Sequence, residues 1–98
     1  MIGSNILQNA YNNLYKEIRK YIWSFEAVNA IADLEISAYQ SFADIVAVRK
    51  NLDRVKSYAR DVLKDDEDLQ KVFDAFYDLR EDEDRTYVKL TAVKEEVN

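Results

Sequence analysis

Two ladders of apolar side chains, stepping alternately by four and three residues, constrain this chain to fold as packed helices. The first runs Leu7, Tyr11, Leu14, Ile18, Tyr21, Phe25, Val28, Ala32. The second runs Leu34, Ala38, Ser41, Ile45, Val48, Leu52, Val55, Ala59, Val62, with Ser41 as its one polar rung. Each set falls on a single stripe of a helix, the pattern by which helices meet in bundles and coiled coils. The two ladders are one residue out of phase, as expected where two separate helices come together. This periodicity specifies an architecture and no chemistry.

The chain has no proline and a single glycine, Gly3, so turns must rest on Asn, Asp and Ser. At 98 residues it reads as one domain, 1–98, with a core small enough that help from a partner or a second copy is expected. The longest strictly apolar run, residues 45–48, is too short for a membrane span or a signal-peptide core, and no basic amphipathic leader precedes it. A cytoplasmic, intracellular protein without membrane attachment is the default expectation.

The first helix is expected to start at Ser4 or Asn5, because Asn5 and Gln8 form a capping-box pattern, and to run to Ala32 or beyond. A second capping-box pattern, Ser37 with Gln40, places the expected break near residues 33–37 and folds the ladders into an antiparallel hairpin. A single long helix from Ser4 to Lys64, crossing a copy of itself, is the alternative. Acids at Asp65, Asp66, Glu67 and Asp68 then precede Leu69, Val72, Phe73, Phe76, Tyr77 and Leu79 at helical spacing. Carboxylates oppose the positive end of a helix dipole, so a third, shorter helix is expected over residues 66–80. Residues 86–97 carry both strand formers and a helical stripe, and a short fourth helix or a frayed continuation of the third is the preferred reading. The fold class is all-α: a long helical hairpin or coiled-coil-like bundle with a third helix and a C-terminal segment of ambiguous pattern.

Charge is unevenly distributed. Residues 1–64 hold nine Lys and Arg against seven Asp and Glu, while residues 65–98 hold five against twelve. Two acidic blocks, Asp65, Asp66, Glu67, Asp68 and Glu81, Asp82, Glu83, Asp84, flank the third helix. They lack the glycine turn and alternating ligands of a calcium loop, so helix-start acids on a solvated face are the simpler reading. The cations Arg49, Lys50, Arg54, Lys56, Arg60 and Lys64 lie mostly off the apolar stripe, but no nucleic-acid-binding motif accompanies them and the molecule is acidic overall. Direct nucleic-acid binding is not expected.

Histidine and cysteine are absent, which removes most nucleophile and base pairs and most zinc or haem ligation. No phosphate loop can form from one glycine. Neither enzymatic activity nor a cofactor or metal is expected. Two apolar features fall off the ladders. Trp23 projects opposite the first ladder on a continuous helix, beside Arg19 and Lys20, and is either covered by the third helix or exposed as a binding anchor. Tyr39, Phe42 and Val46 form a second patch, to be met by Phe73 and Phe76 or by a partner. These residues point to a non-enzymatic protein-protein interaction module, a small adaptor or regulator that self-associates, a dimer being the simplest oligomer. An acidic, phosphate-mimicking inhibitor of a nucleic-acid-binding protein, as in viral or mobile-element accessory proteins, and a purely structural oligomer are the alternatives.

Overall fold

The computed structural model describes residues 2–40 and 43–79, and all of its regular structure is helical. Five helices follow in order: α1 (Ile2–Ile18), α2 (Phe25–Tyr39), α3 (Ile45–Tyr58), the single turn α4 (Arg60–Leu63) and α5 (Glu67–Tyr77). Helix α1 packs against α2 and α5, α2 packs against α3, and α4 bridges α3 to α5. The result is the expected all-α bundle. Among the described residues no helix is long and apolar enough to cross a membrane.

The first half of the first ladder and most of the second lie in the core, the polar rung Ser41 being outside the described residues. Leu7, Tyr11, Leu14 and Ile18 on α1 are buried, as are Leu34, Ala38, Ile45, Val48, Leu52, Val55 and Ala59. Phe73 and Phe76 of α5 are the largest fully buried side chains, with Leu69 one turn earlier. One cluster joins all four longer helices. Complete removal of an aliphatic or aromatic side chain from water contributes about 1.5–3 kcal/mol, so these rows dominate the stability of the fold.

The breaks fall elsewhere than at residues 33–37. The expected 4–32 helix is interrupted at residues 19–24, and α1 already begins at Ile2, upstream of the Asn5 capping pattern. At the interruption the Ile18 carbonyl accepts from the Tyr21 backbone N–H at 3.1 Å and from the Trp23 indole N–H at 2.7 Å. The Ser24 hydroxyl accepts the Ala27 N–H at 3.1 Å and caps α2. Helix α2 then runs straight through residues 33–37. Ser37 is no cap: it is buried, and its hydroxyl donates to the Leu34 carbonyl at 2.8 Å, satisfying itself within the helix. The second break lies beyond Tyr39, and Asp44 caps α3 by accepting the Val46 N–H at 3.0 Å.

Each break makes an antiparallel hairpin. Tyr39 near the end of α2 donates to Asn12 of α1 at 2.7 Å, and Asp33 of α2 pairs with Arg54 of α3 at 2.8 Å. The second ladder is therefore split across α2 and α3. The third helix is close to its expected span, with Asp66 as its cap, accepting the Leu69 N–H at 2.9 Å. Arg80 and the 86–97 segment lie outside the described residues.

Candidate functional site

The interruption at residues 19–24 resets the phase of the first ladder, and this creates the most unusual surface of the molecule. Beyond Ile18 the ladder turns outward. Helix α2 buries Ala27, Ala30, Ile31, Leu34, Ser37 and Ala38 against α1 and α3, and these occupy one side of its cylinder. On the opposite side Phe25 is 76 % exposed, Val28 49 %, Ile36 60 % and Tyr39 43 %, with Ala32 exposed between them. At about 100° per residue, all five lie within roughly 40° of Ala32, on one narrow stripe. The stripe is about 21 Å long at 1.5 Å per residue. A surface helix is ordinarily polar on its outer face; one that is apolar on both faces belongs in an interior. The neighbouring loop adds Ile22, which is fully exposed.

The polar residues of α2 border this stripe. Glu26, Asn29, Asp33 and Glu35 are all exposed, and the helix carries no Lys or Arg. Asp33 is matched by Arg54 of α3, while Glu35 lies close enough to Tyr11 to help raise its hydroxyl pKa, secondary to burial. Tyr39 packs edge-on against Tyr11, with ring centroids 6.1 Å apart, so one edge of its ring is held while the rest faces water.

The residues singled out from the sequence are dispersed by the fold. Trp23 leaves the helix surface expected for it and enters the turn, half-buried against the core, with its ring edge-on to Tyr21 at 5.9 Å. Its N–H is held by the Ile18 carbonyl, so its place is that of a staple between α1 and α2 rather than of a fully exposed anchor. Arg19 and Lys20 are exposed beside it, and Lys20 pairs with Glu17 at 2.8 Å. Tyr39 belongs to the outer face of α2, and its ring and hydroxyl meet α1, not Phe73 and Phe76. Val46 is half-exposed in the first turn of α3. Phe42, and the block Glu81, Asp82, Glu83 and Asp84, lie outside the described residues. Sequence reasoning missed Phe25, Val28, Ala32 and Ile36 as surface residues; the first three were assigned to a buried ladder.

Around Asp66 the acidic block is engaged in structure. The Tyr21 hydroxyl donates to Asp66 at 2.5 Å, tying the α1–α2 turn to the start of α5, while Asp65, Glu67 and Asp68 remain exposed. Glu17, Asp66 and Asp68 bring carboxylate oxygens within 4.8 Å of one another, and Lys20 and Tyr21 already answer two of the three. The Asp66 carboxyl is held below the usual carboxylate range, first by the Tyr21 hydroxyl and then by the Leu69 N–H. A carboxyl with a folded pKa below its unfolded value contributes stability that is complete above the unfolded value and lost as pH falls through the folded one. Acidification below about pH 4 should therefore weaken the clasp between α5 and the turn. Tyr21→Phe should raise the Asp66 pKa, followed by NMR titration of its side-chain carboxyl. An unchanged Asp66 pKa in that variant would remove the tyrosine from this role.

The basic run is divided among several contacts. Arg49 donates to the Tyr77 carbonyl at 3.3 Å, and Lys56 lies 4.9 Å from the Tyr77 ring centroid, within cation–π range. Tyr77 donates to Asp53, and burial followed by that carboxylate pushes its hydroxyl pKa well above the usual value. Lys56, Arg60 and Lys64 line an open cleft of about 390 Å³ with Leu63, Gln70, Phe73 and Asp74. Among the described residues Asp53, Asp61 and Asp74 are interleaved with these cations, so the cleft is of mixed sign.

The chain was compared with known proteins by family, by sequence and by structure. No protein-family model matches it, and neither a curated protein nor a solved structure is significantly similar.

Proposed function

We propose that this protein is a non-enzymatic interaction module, a small adaptor or regulator, that assembles through the outer face of α2 onto a second copy of itself. The observation that carries this reading is the second apolar face of α2. The exposed parts of Phe25, Val28, Ala32, Ile36 and Tyr39 amount to an area on the order of 500 Å², since aromatic side chains alone carry about 150–250 Å² each. That lies in the upper range of the largest apolar patch on an ordinary monomer, about 300–600 Å², where such patches mark interaction sites. With its polar border it approaches the ~800 Å² that each partner contributes to a standard interface. The acidic-mimic reading draws less support: of its two blocks, the described one includes Asp66, which is occupied by Tyr21 and the α5 cap.

Sedimentation equilibrium from low micromolar to submillimolar concentration tests the proposal. The wild type is expected to approach twice the monomer mass. The double variant Val28→Asp, Ile36→Asp should remain monomeric with an unchanged helical circular dichroism spectrum, since both positions face solvent within one chain. Monomer at every wild-type concentration, or a double variant that associates like the wild type, would refute it.

A further inference from the structure

The outer stripe of α2 has a symmetry of its own. Counted from Ala32, its members stand at −7 (Phe25), −4 (Val28), +4 (Ile36) and +7 (Tyr39). The pattern reads alike in both directions: an aromatic at each end, a β-branched aliphatic at each inner position and the smallest side chain at the centre. In an antiparallel twofold pair residue i of one copy meets residue j of the other while j meets i, so this arrangement sets aromatic against aromatic, aliphatic against aliphatic and alanine against alanine.

We infer that two copies pack α2 against α2 antiparallel, with the twofold axis passing beside Ala32, so that Val28 meets the partner's Ile36 and Phe25 meets the partner's Tyr39. This rests on the self-association proposed above and gives it a register and a direction. Ala32 at the crossing lets the helix axes approach to the short end of the usual ~8–10 Å, while the larger pairs fill the space on either side. The opposed dipoles of antiparallel helices favour this direction over a parallel pair.

The chain has no cysteine, so single-cysteine variants report the geometry without background. Ala32→Cys is expected to form a disulfide-linked dimer on mild oxidation. An equimolar mixture of Val28→Cys and Ile36→Cys, treated with a short bismaleimide and weighed intact by mass spectrometry, should give the mixed dimer severalfold over either homodimer. All three positions are solvent-facing in one chain, and circular dichroism verifies that each variant keeps its helices. Predominant homodimers of Val28→Cys and of Ile36→Cys would establish a parallel pair, and failure of Ala32→Cys to link in a protein that still sediments as a dimer would establish another register; either overturns this inference while leaving self-association intact. A wild type that stays monomeric overturns both.

Discussion

Phe73→Ala is expected to lower the unfolding free energy by about 3–5 kcal/mol, the range for truncating a fully buried aromatic. Phe73 has no exposed surface, and with Leu69 and Phe76 it forms the face by which α5 enters the shared core. A 98-residue domain is stable by about 5–15 kcal/mol in total, so the variant loses a large fraction of that margin. Relaxation is the competing effect. Phe73 also borders the open cleft beside Lys56 and Arg60, and water entering the new space would reduce the cavity part of the penalty, placing the cost nearer the lower figure. Asp74→Ala, one residue on and exposed, should change stability by less than about 0.5 kcal/mol. Urea denaturation of the pair measures both. A loss below about 1 kcal/mol for Phe73→Ala would mean that α5 is not an integral part of the core.

Trp23→Ala should cost about 2–4 kcal/mol, less than a fully buried tryptophan would because the ring is only half-buried. Two contributions are separable. The indole N–H donates to the Ile18 carbonyl at 2.7 Å, and a net hydrogen bond is worth about 0.5–1.5 kcal/mol. The remainder is apolar area packed on the core and the edge-on contact with Tyr21. Trp23→Phe retains most of that area and loses the bond, so it should cost only about 1 kcal/mol. Thermal unfolding of both variants, with near-ultraviolet circular dichroism to follow the aromatic packing, gives the division. A Trp23→Ala variant as stable as the wild type would return Trp23 to the role of an exposed anchor for a partner.

The misplaced breaks have a common physical origin. Asn5 with Gln8 and Ser37 with Gln40 both have the two-residue pattern of a capping box, yet the first falls inside α1 and the second at the C-terminal end of α2, where Gln40 is the C-cap. Among the described residues, the side-chain caps Ser24, Asp44 and Asp66 are followed at the matching position by Ala27, Ala47 and Leu69, which cannot reciprocate. A cap contributes about 1 kcal/mol, whereas the choice of where the chain reverses determines which whole rows of side chains are buried. The larger quantity wins. The one signal near the first true break was Trp23 itself: a tryptophan opposite the ladder on a continuous helix is out of place, and a turn resolves the conflict by bringing it to the Ile18 carbonyl.

Periodicity by itself determined that the chain is all-helical, that Leu7 to Ile18 and Ile45 to Ala59 face inward, and that a helix follows the acids at 65–68, because those are properties of a single stripe on a single helix. Helix α2 was beyond its reach. Residues 25–39 carry apolar side chains around most of the cylinder, so local pattern ranks neither stripe above the other. Only the packing of α1 and α3 on the side of Ala30, Leu34 and Ala38 decided between them, and it left Phe25, Val28, Ala32, Ile36 and Tyr39 facing outward. The surface proposed for assembly is thus a consequence of where two neighbouring helices come to rest, an energy that no window of sequence contains.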